Sequence, residues 1–140
     1  MGLSAKKDWY WLCDRWEHEG YESLNQSEKL WLNTRSLIDS VNNGGLISYF
    51  YNSDADRIED CIAALGQLRA LDVLLQVERL AKLFGSSIST IEERNQIISA
   101  WSDYGCEHAL CEETDNVLMP QMKQLEKTLE AYLKQHGFSP

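Results

Sequence analysis

Only two prolines, Pro120 and Pro140, interrupt the chain. So few helix breakers leave room for long, continuous helices. Long apolar runs are missing too. Nothing approaches the roughly 20 residues that a membrane-spanning helix needs. The polar start, Met1 to Lys7, and an apolar stretch broken by Asp8, Asp14 and Arg15 do not form a secretory leader. Cys13, Cys61, Cys106 and Cys111 are scattered and make no disulfide framework, so a cytoplasmic protein with reduced thiols is expected. There is no internal repeat and no useful β alternation. Positive charge is also scarce: 13 Lys and Arg stand against 22 Asp and Glu, for a formal net charge of -9. That balance disfavours nucleic acid or an anionic membrane as a direct partner and favours a basic protein.

Catalytic motifs are equally absent. The sequence has no G-x-S-x-G, and Gly44-Gly45 lacks the further glycine, the lysine and the preceding strand of a phosphate loop. No nucleophile, base and acid stand together, and His18, His108 and His136 read as surface residues. Cys106-Glu107-His108-Ala109-Leu110-Cys111 is the nearest approach to a metal motif, but no second ligand pair matches it. The expectation is therefore a protein that is no enzyme, with no metal and no cofactor.

The chain does have a hydrophobic share of 44% in 140 residues, enough for one domain over 1–140 with a real core. Periodicity predicts an all-α, compact bundle of six to seven helices. Residues 8–18 form the first helix, with Trp9, Leu12, Cys13 and Trp16 on one stripe and Tyr10 and Trp11 off it. Asn25 and Glu28 have capping-box spacing, and the second helix runs to about Val41. Ser53 and Asp56 repeat the spacing before a helix with Ile58, Cys61, Ile62 and Leu65 inward and Gly66 as its stop. The next helix, about Ala70 to Phe84, is apolar nearly all round. It is expected to be the most buried, with Leu71, Leu74, Leu75, Ala81 and Phe84 sharing one face. Ser89 and Glu92 offer a third capping box, ahead of Ile91, Ile97, Ile98 and Trp101. Asp103 to Thr114 looks irregular. Pro120 opens or kinks the last helix, which carries Met122, Leu125, Leu129, Tyr132 and Leu133.

Between the second helix and the acidic one lies a corner, Asn42 to Ser53. Gly44-Gly45 is expected to end one helix. Leu46, Tyr49 and Phe50 fall at i, i+3 and i+4 and plug the core, and Asn52-Ser53 starts the next helix.

Negative charge is localised. Glu92, Glu93, Asp103, Glu107, Glu112, Glu113 and Asp115 face Arg94 alone, so that stretch carries -6 of the formal -9. Asp54, Asp56, Glu59 and Asp60 form a second cluster with Arg57 as its one cation. The last helix, by contrast, sets Glu126 and Glu130 against Lys123, Lys127 and Lys134. The acids are either solvated helix starts and a loop, or a surface aimed at a basic partner.

The corner Asn43-Gly44-Gly45-x3-Tyr49-Phe50-x-Asn52-Ser53, followed by Ala63-Ala64-Leu65-Gly66 and a leucine-rich helix ending at Phe84, resembles a bacterial DNA-mimic protein (DMP) family. The resemblance covers about 24–136. It does not extend to the aromatic first helix, and Ser86-Ser87-Ile88-Ser89 departs from the proline-rich turn common in the family. It implies a compact helical domain that binds a helix-turn-helix-type transcription factor and keeps it off its operator, with carboxylates where DNA has phosphates. The residues expected to face such a partner are Asp54, Asp56, Glu59, Asp60, Glu92, Glu93, Glu107, Glu112, Glu113 and Asp115, with a homodimer able to extend the row. The alternative is an immunity-type or other protein–protein interaction module that blocks its partner by shape.

Overall fold

The computed structural model describes residues 6–140. The chain is all-α: α1 (Trp9–Glu19), α2 (Gln26–Gly44), α3 (Leu46–Phe50), α4 (Ile58–Gln67), α5 (Leu71–Ala81), α6 (Ile91–Ser99), α7 (Cys106–Leu118) and α8 (Met122–Gln135). Seven of these have nine residues or more, and α3 is a single short turn of helix. Among the described residues there is no strand.

α2 runs through the middle of the bundle, with α3, α4 and α8 packed around it. The expected capping box starts it. The Asn25 side chain accepts the Glu28 N–H at 2.8 Å, and the Glu28 carboxylate accepts the Asn25 N–H at 2.8 Å. The same carboxylate is buried and pairs with Arg15 at 2.8 Å, so the cap also ties α1 to α2. α2 does not stop at Val41. It continues through Gly44 and ends at Gly45, whose φ of 82° and ψ of 177° suit only glycine. Of the two adjacent glycines, the second breaks the helix.

α4 ends differently from expectation. Gly66 lies inside the helix. Arg69 makes the turn instead, at a φ of 58°, while the Ala70 N–H reaches back to the Leu65 carbonyl at 2.9 Å. This is the glycine-type helix ending built on an arginine.

Among the longer helices α2, not α5, is the most buried. Leu71 and Leu75 of α5 are 62% and 55% exposed, and Val73, Gln76, Val77 and Leu80 face inward in their place. Leu71 and Leu75 share the side of α5 that carries Asp72, Glu78 and Arg79, which marks that side as the outer one.

Other departures are local. Trp11 packs on Phe138 with ring centroids 6.0 Å apart, joining Trp9, Trp31 and Phe138 in one aromatic group. Thr90, not Ser89, caps α6 by accepting the Glu93 N–H. On α6 the residues inside are Arg94 and Ile98, with Ile91 and Ile97 half-buried, as is Trp101 just beyond the helix. The stretch expected to be irregular is mostly α7. Pro120 lies in a tight turn, Met119–Gln121, between α7 and α8. No described helix is long and apolar enough to cross a membrane.

Candidate functional site

The apolar side chains of the corner are structural. Leu46, Tyr49 and Phe50 are fully buried, and Phe50 stacks on Phe84 at 5.0 Å. The Tyr49 hydroxyl is buried with no hydrogen-bond partner; the Cys61 thiol is the polar group beside it. Burial pushes that thiol up to about 12. The Asn52 side chain accepts the Asp54 N–H at 3.0 Å and starts the turn Ser53–Arg57, so Asn52 rather than Ser53 is the cap. Asn43 is exposed and lines a shallow depression with Asp39, Asn42 and Asn52.

Arg94 underpins the corner. It is completely buried and donates to the carbonyls of Phe50 at 2.9 Å, Ile88 at 2.7 Å and Asn52 at 2.9 Å, and to the Asp56 carboxylate at 2.7 Å. A planar fork with five N–H groups suits this task. In sequence Arg94 stands out only as the one cation among seven acids.

The ten expected surface acids divide. Asp54 turns inward, accepting from Ser36 and pairing with Arg57 at 3.2 Å. Asp56 is tied to Arg94. Glu93 is the half-buried partner of its own cap, Thr90. Asp115 accepts the Leu46 N–H at 2.9 Å and caps α3 from another part of the chain. Glu107 and Asp115 flank Cys111, whose pKa is raised to about 11, first by burial and then by the two carboxylates.

Two outward groups remain. On α7, Glu112 and Glu113 both face solvent; Glu113 pairs with Arg79 at 3.0 Å and stays 65% exposed. Around the start of α4, Asp56, Glu59 and Asp60 line one depression together with Tyr21, Arg57 and Ile88. Glu22 joins them there from the turn after α1, distant in sequence from the acids of α4. Of the ten acids, Glu59, Glu92, Glu107 and Glu112 have neither an ion-pair nor a side-chain hydrogen-bond partner among the described residues; Asp60, Glu93 and Asp115 have hydrogen bonds but no ion pair.

Tyr21 organises the depression. Its hydroxyl donates to Asp60 at 2.5 Å and accepts from Asn33 at 2.8 Å. Lys29 lies 4.9 Å and Arg57 4.5 Å from the centroid of its ring. Burial first, and the bond to Asp60 second, raise the phenol to about 12. The neighbouring cations are thus held on an aromatic face, with the carboxylates at the rim.

Cys106 and His108 are exposed and Cys111 is half-buried; among the described residues no three His, Cys, Asp or Glu side chains gather as a metal site.

No curated protein and no solved structure matches the chain. The family model described as DMP19-like protein matches residues 22–136. That span contains α2 to α8, the corner and every acid of both outward groups, and leaves out α1. The chain therefore belongs to the DMP19-like protein family.

Proposed function

We propose that this chain is a non-enzymatic acidic protein that binds a basic DNA-binding protein, of helix-turn-helix type or similar, and blocks it by offering carboxylates in place of DNA phosphates. The observation that carries the reading is local to the two acidic stretches, where the cations turn inward and carboxylates stay at the surface. Arg94 is fully buried, and Arg57 lies against Trp16 and Tyr21, while Glu59, Asp60, Glu112 and Glu113 stand outward on helices. DNA readers are held largely by Lys and Arg contacts to phosphate, whose negative charge recurs about every 1.7 Å of duplex axis. Carboxylates anchored on helices meet the same cations and cost little reorganisation on binding. The family match supports a DNA-mimic character at family level. A cytoplasmic location fits the four free cysteines.

The test is charge reversal. Glu112→Lys with Glu113→Lys leaves the fold intact and weakens the complex about tenfold or more. Wild-type binding falls steeply with salt and is competed by duplex DNA. An affinity that ignores both salt and the double variant supports the other reading, an immunity-type or similar module acting by shape. Exposed Leu71 and Leu75 on α5 are the observation in favour of that alternative.

A further inference from the structure

A groove of about 290 Å³ runs between the start of α2 and the outer side of α4. Its lining is mainly apolar: Leu24, Leu30 and Ala64 are buried beneath it, and exposed Ala63 forms part of the wall. One end is closed by a hydrogen bond from Gln26 to Gln67 at 2.9 Å. Asp60 lines the groove and also the acidic depression of Glu22, Asp56 and Glu59, so the two concavities meet at the Tyr21–Asp60 hydrogen bond. The one cation in the groove, Lys29, is held over the Tyr21 ring and beside Glu22 at 3.6 Å. Its charge is turned toward the protein's own groups.

We infer that this groove and the depression joined to it form one docking surface for a basic amphipathic segment of the protein partner. An aliphatic side chain of the segment sits on Leu24, Leu30, Ala63 and Ala64, and its Lys or Arg groups reach Glu22, Glu59 and Asp60. The inference rests on the proposed binding of a basic protein and assigns the place where the contact is anchored. Charge complementarity selects the occupant: Asp56 is held by Arg94 and Glu22 lies beside Lys29, but Glu59 and Asp60 have no ion-pair partner among the described residues and stay exposed at the rim, which an acidic segment would avoid. The apolar floor supplies what phosphate mimicry lacks, a buried anchor that water cannot replace.

The probe is a synthetic helical peptide with Leu on one face and Arg on the other, and a second peptide with every Leu replaced by Ser. Amide shifts of the labelled wild-type protein are expected to move for Lys29, Glu59, Ala63 and Gln67. The Ser peptide binds about tenfold more weakly, as does the Leu peptide to Ala63→Trp, which fills the groove from an exposed position. Circular dichroism verifies that the variant is folded, and shift mapping on the wild type needs no variant. Equal binding of both peptides, or shifts confined to Glu112 and Glu113, would overturn the groove and leave the acidic-surface reading standing. No peptide binding even at low salt overturns both. A wild-type dimer that Ala63→Trp converts to monomer assigns the groove to a second copy and overturns the inference as well.

Discussion

The Asp115 carboxylate accepts the backbone N–H of Leu46 at 2.9 Å, joining α7 to the start of α3 across 69 residues. A helix start leaves backbone N–H groups without partners, and here the cap comes from another helix. The other carboxylate oxygen blocks the neighbouring position: a Cβ on Gly45 would lie 2.5 Å from it. Asp115→Ala is expected to lower stability by about 1 kcal/mol, within the usual range for a lost cap. Gly45→Ala adds a clash to an unfavourable backbone conformation and costs more. Urea midpoints of the two variants give the comparison.

Arg94 has a larger effect. Arg94→Met leaves three carbonyls and Asp56 without their donor and is expected to cost roughly 3–5 kcal/mol, as when one partner of a buried pair is removed. Arg94→Lys recovers little, because an ammonium cannot reproduce the planar fork. Asp56→Asn costs less, since that side chain is 37% exposed and the carbonyl contacts of Arg94 survive. Equal urea midpoints for Arg94→Met and wild type would rule out this role.

Phe50→Ala removes a ring stacked on Phe84 and set edge-on to Tyr49 at 5.4 Å. The expected loss is about 3–5 kcal/mol. Leu75→Ser, at an exposed position of α5, should stay within about 0.5 kcal/mol. Thermal melts measure both, and the Leu75→Ser melt tests whether the inward face of α5 is that of Val73 and Val77 rather than that of Leu71 and Leu75.

Alkaline pH provides a fourth check. The Tyr21 phenol is raised from 10.0 to about 12. Below pH 10 both folded and unfolded chains keep this proton, and its contribution to stability is complete. As the pH rises from 10 to 12 the unfolded chain releases the proton while the folded chain holds it, so stability falls. Tyr49 and Cys61, also raised, act in the same direction. Tyr21→Phe is expected to lower stability at neutral pH, by losing the bond to Asp60, and to flatten the decline above pH 10. Denaturant unfolding across that window measures both effects; an unchanged alkaline slope would dissociate Tyr21 from it.

Local signals were legible in the sequence wherever one residue's chemistry decides the backbone. Asn25 and Glu28 cap α2 as their spacing requires, and Leu46, Tyr49 and Phe50 bury as one helical face must. The all-α class follows from helical periodicity and the near absence of proline. The stop at Arg69 was not legible: a left-handed residue is usually glycine, and Gly66 offered itself first. The orientation of α5 was legible in Asp72, Glu78 and Arg79, which mark its outer side, although Leu71 and Leu75 share that side.

The acids show the division most clearly. Composition establishes that this chain is negative and where along it the charge lies. It cannot separate Glu112, pointing to solvent, from Asp115, three residues on and bonded to the Leu46 backbone. A carboxylate's role depends on the donor it meets, and such donors come from distant segments: Arg94 for Asp56, Tyr21 for Asp60. The sequence alone determined the all-α class, the sign of the charge and the family, because periodicity, composition and local motifs suffice for these. Tertiary structure decided which carboxylates are used to hold the fold and which remain for a partner, because only packing brings those donors within reach.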